Sequence, residues 1–229
     1  MEAGTAQASS SVRAHEAEPP LGIAQGIVAL TALSVLAVPA LFTAGLLWMS
    51  LGRPLLFRQM RSGMHGRPFT VIKFRTMHDT RDAAGQLLPD AERETAVSRF
   101  IRSVRMDEIP QLLMVLRGSM NIVGPRPLRP ATIESFGSLG RIRSQVRPGL
   151  TGWAQVNGNT RLSDAQKLAL DIWYIDHRSV ALDARILLLT ASTLIFGERI
   201  DAGNLAAATA HLAGRTSPAA EVQARSEQQ

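Results

Sequence analysis

The chain has 229 residues, 25 Lys+Arg against 19 Asp+Glu, and no cysteine. That length suits one modest domain with appendages, and the missing cysteines exclude disulfides, thiolate metal sites and a cysteine nucleophile. The net charge of +6 rests on arginine, Lys73 and Lys167 being the only lysines, and basicity alone does not point to a nucleic-acid partner.

Residues 1–20 are small, polar and proline-ended, the composition of a disordered tail. No charged residue follows until Arg53, which argues against a simple soluble globule. Residues 21–51 form an uncharged run of 31, interrupted by Pro39. As a straight helix this run would extend roughly 46 Å, against a hydrocarbon core of about 30 Å. A tilted or kinked span and a re-entrant helix that breaks at Val38-Pro39 both absorb the excess, because proline removes a helical donor and bends the chain. A cleaved signal peptide fits less well, since the run is long and its front end is acidic rather than basic. Arg53, Arg58, Arg61, Arg67, Lys73 and Arg75 then occur with no acid before Asp79, which marks this flank as cytoplasmic and suited to anionic headgroups.

In the globular part, residues 69–75 alternate as a strand, with Lys73 and Arg75 on one face. Residues 79–98 read as a surface loop and a short helix. Residues 99–117 carry helical spacing that Pro110 splits in two, with Gly118 as a stop signal. Residues 122–161 are rich in Gly and Pro and predict mostly turns. A helix over 163–177 starts at a Ser163 cap, an apolar helix covers 182–197, and 201–229 loses periodicity as a polar tail.

Four features could carry chemistry. Asp107-Glu108 is an isolated acidic pair among Arg99, Arg102, Arg105, Arg117, Arg126 and Arg129. Basic neighbours favour ionisation, and Pro110 places the pair at a helix N-terminus, where the dipole favours anions and free N–H groups meet phosphate. An ionised Asp beside phosphate is a candidate nucleophile; salt-bridged helix acids would give the same pattern. Two prolines flank Arg126 and restrict its backbone, so its guanidinium is presented to a phosphate or simply to solvent. Lys73 and Arg75 form a cationic strand face. Residues 147–158 allow close backbone approach at their glycines, and Trp153 reads first as a buried structural ring. Walker and dinucleotide-binding loops are missing. Residues 171–177 read as packing with one or two polar contacts.

Taken in order, the apolar segment with Pro39, GRPLLFRQ at 52–59, KFRTM at 73–77, MDEIPQL at 106–112, VGPRP at 123–127, PGLTGWAQ at 148–155 and DIWY at 171–174 resemble the bacterial sugar transferase family, the monotopic phosphoglycosyl transferases. The resemblance covers roughly residues 21–200. It implies an α+β chain: a membrane-embedded re-entrant helix at 21–51 broken at Pro39, and a helix-rich cytoplasmic catalytic domain at 52–200 with short strands and Gly/Pro-rich loops. It implies transfer of a phosphosugar from a UDP-sugar to polyprenyl (undecaprenyl) phosphate with Mg²⁺, as the first membrane step of exopolysaccharide, O-antigen or glycoconjugate synthesis.

By the same resemblance Asp107 attacks the sugar-linked phosphorus, releases UMP and holds the phosphosugar covalently. Glu108 assists, Mg²⁺ sits against Asp107, and Lys73, Arg75, Arg126 and, more weakly, Arg147 hold phosphate. The implied location is the bacterial inner membrane with the catalytic domain facing the cytoplasm. Membrane lipids and a homo-oligomer are compatible partners. Val38 stands where the family often has Ser before the breaking proline. Ser119 and Met114 replace residues often polar or acidic, and Asn159-Thr160 replaces a usual basic position. The alternatives are a non-catalytic membrane-anchored scaffold that binds anionic lipid through its arginines, and a lipid-phosphate hydrolase.

Overall fold

In the computed structural model, which describes residues 22–215, the uncharged block is helical throughout. The tail expected at 1–20 and the end of the one expected at 201–229 lie outside the described residues. Helix α1, Ile23–Val35, meets α2, Ala37–Leu51, at Leu36, and Gln25–Leu51 is long and apolar enough to cross a membrane. The irregular residue falls one turn before the predicted break at Pro39. Proline has no N–H for the Val35 carbonyl four residues back, so the defect appears there. Leu36 N–H still donates to Ala32 O at 2.9 Å, and Ala40 N–H to Leu36 O at 2.8 Å.

This block is not a detached anchor. Ala29 of α1 is buried against Met114, Val115 and Met120. Leu47 and Leu51, one turn apart on α2, pack with Phe74 and Ile101. The opposite face of α2 leaves Val38, Leu41, Phe42 and Met49 exposed, an apolar surface that water does not favour.

Strands β1, Leu56–Ser62, and β2, Pro68–Phe74, pair antiparallel with Phe57 opposite Lys73, close to the predicted strand. Short helix α3, Asp90–Arg93, precedes α4, Ala96–Ser103. Thr95 and Ser98 close a capping box at the start of α4. The stretch is split, but at Val104-Arg105 rather than at Pro110: α4 ends at Ser103, and Pro110 lies inside a 3₁₀ segment, Met106–Gln111, that runs on into α5, Leu112–Leu116.

The Gly/Pro-rich stretch holds more order than predicted. Strand β3, Asn121–Val123, pairs in parallel with β4, Gly149–Thr151. Between them lie α6, Pro130–Ser135, and α7, Gly137–Arg143. Pro130 opens α6, a position where its fixed φ helps and its missing N–H is not needed. Short helix α8, Trp153–Val156, follows β4. Helix α9, Asp164–Asp176, starts at the predicted Ser163 cap, which Gln166 completes as a capping box. Helix α10, Val180–Phe196, covers the apolar stretch.

The tail expected from residue 201 is instead helical as far as Arg215, as α11, Ala202–Arg215. Asp201 caps it by accepting from Asn204 N–H at 2.8 Å. Its surface is largely alanine, which shows weak hydrophobic periodicity but has the highest helix propensity and packs closely. Ala208 is fully buried in the main core with Trp153, Leu170, Tyr174 and Ile186. Asp176 of α9 ties α11 down through His211 Nε2 at 2.8 Å and Arg215 Nη1 at 2.5 Å.

Candidate active site

The acidic pair occupies the first turn of the 3₁₀ segment, as the sequence predicts. Arg105 enters that turn in the left-handed region, at φ 56° and ψ 22°. A cavity of about 520 Å³ opens in front of it, with Lys73, Arg102, Arg105, Arg126 and both acids in its wall. Cations from β2, from the end of α4 and from the Gly124–Pro127 turn therefore converge on one carboxylate pair.

The two acids differ in setting. Glu108, 9% exposed, accepts a 2.5 Å hydrogen bond from Arg126 Nη2 and has Arg105 Nη1 at 3.9 Å. Burial works to raise its pKa, but the Arg126 charge and hydrogen bond, helped by Arg105 and Lys73, outweigh it and leave Glu108 below its ordinary value. Asp107, 5% exposed, has Lys73 Nζ at 4.0 Å. Burial, reinforced by the Glu108 charge, raises its pKa to about 6 despite Lys73, Arg102 and Arg126. This corrects the expectation that basic neighbours bias both acids toward ionisation: for Asp107 desolvation wins. Lys73 is itself lowered by burial, against the pull of Asp107 and Glu108. Its ammonium also stands 5.6 Å from the centre of the Phe57 ring, its cross-strand partner.

Arg126 is held by backbone geometry that needs glycine. Gly124 N–H donates to Thr151 O at 2.9 Å, and Gly149 N–H to Pro125 O at 2.9 Å. A Cβ on Gly149 would lie 2.1 Å from Gly124 N, and one on Gly152 would lie 2.1 Å from Gly124 O. The two glycine motifs read separately in the sequence are thus two sides of one close backbone contact. Beneath it, Arg143 Nη2 donates to the Arg126 carbonyl at 2.6 Å, while its Nε donates to Asp171 Oδ2 at 2.8 Å. Asp171 and Arg143 are both buried, so the DIWY segment acts on the site through this pair rather than by touching the cavity.

Two predicted phosphate ligands are not brought to the cavity. Arg75 lies just past the end of β2 and turns to the end of α2. There it donates from Nη2 to Leu51 O at 2.6 Å and Gly52 O at 3.1 Å, and from Nε to Pro54 O at 2.7 Å. It satisfies carbonyls that a helix end leaves unpaired. Arg147 is buried and lies outside the cavity wall, its carbonyl packed against Gly124. Trp153 is buried as expected, stacked on Trp173 at 5.4 Å. His177 stacks on Trp173 at 4.3 Å, a packing role.

The sequence gives little sign of Glu198. Its carboxylate takes Arg105 Nη2 at 3.1 Å, Asn159 Nδ2, Thr160 N–H at 3.2 Å and Thr160 Oγ1 at 2.5 Å. Asn159 and Arg105 are both left-handed residues, so one acid more than 30 residues away fixes two strained turns in the cavity wall. Burial tends to raise its pKa, yet the Thr160 and Asn159 hydrogen bonds bring it below its ordinary value. Asn159-Thr160 was legible as a departure from the family pattern; its partner was not.

A buried acid beside a second, arginine-locked acid, in a cavity ringed by cations, has the charge and the room to receive a phosphate group. The sequence profile of the bacterial sugar transferase family matches residues 22–197, and the chain belongs to that family, a class of phosphoglycosyl transferases. It is 44% identical over 176 residues to an uncharacterised sugar transferase, EpsL, of Bacillus subtilis, covering 77% of this chain and 87% of EpsL. It is 40% identical over 182 residues to the UDP-glucose:undecaprenyl-phosphate glucose-1-phosphate transferase of Caulobacter vibrioides, covering 74% of this chain and 67% of the relative. Over 179 residues it is 34% identical to the UDP-N-acetylgalactosamine-undecaprenyl-phosphate N-acetylgalactosaminephosphotransferase of Aeromonas hydrophila, of which it spans 42%.

Proposed function

We propose that this enzyme transfers a sugar phosphate from a UDP-sugar to undecaprenyl or another polyprenyl phosphate at the bacterial inner membrane, through a covalent intermediate on Asp107. The observation that carries this reading is the contrast within the acidic pair: Glu108 is bound by Arg126 at 2.5 Å, while Asp107 faces the cavity with Lys73 at 4.0 Å. A desolvated carboxylate that is ionised at neutral pH is a competent nucleophile.

The Asp107 oxygen attacks the phosphorus that carries the sugar. The bond from that phosphorus to the bridging oxygen breaks, and UMP leaves with the electron pair. A phosphate oxygen of the lipid then attacks the same phosphorus, the acyl–phosphate bond breaks, and Asp107 returns as a carboxylate. Lys73, Arg102, Arg105 and Arg126 offset charge on the phosphoryl oxygens. Glu108 holds Arg126 and Arg105 in place rather than reacting.

Among the described residues no group of three or more His, Cys, Asp or Glu is placed to hold a metal. Mg²⁺ commonly uses one or two carboxylates together with substrate phosphates, and this donor set fits that pattern. Asp107, with the donor's diphosphate, would hold the ion, which would supply Lewis-acid neutralisation of the diphosphate charge.

The apolar helix and the following acid-free stretch with six cations support a membrane placement with the catalytic part in the cytoplasm. A re-entrant course, with both ends of the helix on that side, would bring the cavity to the lipid phosphate. Relatives act on different sugars by name, so the donor is identified by assay. The test is UMP release from a panel of UDP-sugars with Mg²⁺ and polyprenyl phosphate, together with intact mass after donor alone. One donor should release UMP and add one phosphosugar to the protein, and Asp107→Asn should do neither while staying in the membrane. Turnover by Asp107→Asn would remove the nucleophile. Free sugar phosphate as product would indicate a hydrolase, and silence with every donor would indicate a scaffold.

A further inference from the structure

A second cavity, of about 420 Å³, lies on the other side of the 3₁₀ segment. Its wall is formed by Val28, Ala32 and Leu36 of the membrane helix, Leu112 of α5, and Leu187 and Leu194 of α10. Arg105, Glu108 and Thr193 line both this cavity and the basic one, so the two meet at the acidic pair. Its threonine hydroxyls are turned inward: Thr190 donates to Ile186 O at 2.7 Å and Thr193 to Leu189 O at 2.8 Å. The surface left to an occupant is mostly hydrocarbon. Its remaining polar members are few, Arg105, Glu108, Thr151 and Gln155, so a uracil or a hexose would leave most of its polar groups unpaired there, which is unfavourable.

The cavity is open rather than a sealed core, because Val28, Leu187 and Leu194 keep 49%, 42% and 41% of their surface exposed. On α1 the exposed Val35 shares the stripe of Val28 and Ala32, so the groove opens along that side of the helix, whereas the exposed Leu30 lies on the other side. An occupant must therefore be apolar, come from the bilayer side, and end in an anion that Arg105 can meet.

We propose that this groove holds the first isoprenoid units of the acceptor lipid, so that donor and acceptor reach the acidic pair from two separate cavities with Arg105 between them. The proposal rests on the transferase reading above, and adds where the lipid chain lies and from which side its phosphate arrives. The chain passes from bilayer hydrocarbon into groove hydrocarbon, so acceptor affinity depends on how the groove's shape fits the chain and on the phosphate meeting Arg105, and blocking the groove would be felt there.

The variants are Ala32→Trp and Leu187→Trp, which fill the groove from opposite walls, and Leu30→Trp, which enlarges the outer face of the same helix as Ala32. Each is read in two half-reactions: the UMP burst from donor alone, and the KM for polyprenyl phosphate in the complete reaction. The groove variants should raise the acceptor KM at least tenfold while still giving a UMP burst, and Leu30→Trp should leave that KM within about twofold of the wild type. An acceptor KM within twofold for both groove variants would overturn the proposal.

Wild-type enzyme supplies a readout that does not depend on variant folding. A polyprenyl phosphate with a photoreactive group in its first isoprene units should label peptides from α1 and α10, and unlabelled polyprenyl phosphate should suppress the label more strongly than phosphatidylglycerol does. Label confined to α2 or to the β1–β2 pair, or suppression by phosphatidylglycerol alone, would sink it. Loss of the UMP burst in wild-type enzyme would strike the transferase reading instead, so the two failures are distinguishable.

Discussion

Asp107 and Glu108 are neighbours in the chain with opposite electrostatic fates, and the difference sets what each does. Glu108 is held ionised by Arg126; Asp107 is pushed up to about 6 by burial and by the Glu108 charge. If Asp107 attacks as the carboxylate, the second-order rate constant of the UMP burst at subsaturating donor, which reports the free enzyme, should fall tenfold per pH unit below about 6 and level off above it, measured by quench flow with donor alone. A flat profile down to pH 5 would count against Asp107.

The same shift has a stability consequence. A carboxyl whose pKa is raised on folding loses stability as pH rises from its unfolded value near 3.8 to its folded value, and the deficit is complete above about 6. At 1.36 kcal/mol per unit this is on the order of 3 kcal/mol. Asp107→Asn should therefore be inactive yet more stable than the wild type at pH 8, with the gap closing toward pH 4. Thermal melts in detergent at the two pH values would show it.

At the scale of elements, the site depends on the contact between β3 and β4 that presents Arg126. Gly149→Ala would place a methyl group 2.1 Å from a backbone nitrogen, and neither strand can yield without moving that turn. A loss of at least about 1–3 kcal/mol is expected, with a large fall in activity. Gly45→Ala, in α2 with nothing within 4 Å of the added carbon, should be neutral or slightly stabilising. Melting temperatures and UMP release for the pair separate a packing effect from a general intolerance of alanine. Helix α11 makes a related point: alanine-rich chain with little periodicity becomes ordered because Asp176, His211 and Arg215 fasten it to α9.

For the whole molecule, the question is how a 27-residue apolar helix can also be part of the domain core. Ala29 and Leu47 pack into two separate clusters of the globular region, one with Val71 and Met114 and the other with Phe74 and Ile101, so both halves of the helix are tied to it. A helix that crossed the bilayer perpendicular to the surface would carry one of these contacts into lipid. A cysteine introduced as Ala6→Cys should accordingly be protected from an impermeant thiol reagent in intact cells and react after permeabilisation. Labelling from outside would establish a spanning course.

The sequence by itself determined the apolar block, the acidic pair at a helix start, the Ser163 cap and the order of motifs that marks the family. These are local: an uncharged run, a capping residue and a proline act over a turn or two of chain. Tertiary structure decided which cations reach the acids. Lys73 and Arg126 do; Arg75 caps a helix end and Arg147 is buried elsewhere, although all four look alike as basic residues near glycine or strand patterns. It also decided the charge state of Asp107, since burial is a property of the folded chain, and it brought Glu198 to Arg105 and Asn159 from more than 30 residues away. Desolvation and long-range pairing have no signature in a local window, whereas helix ends and hydrophobic runs do.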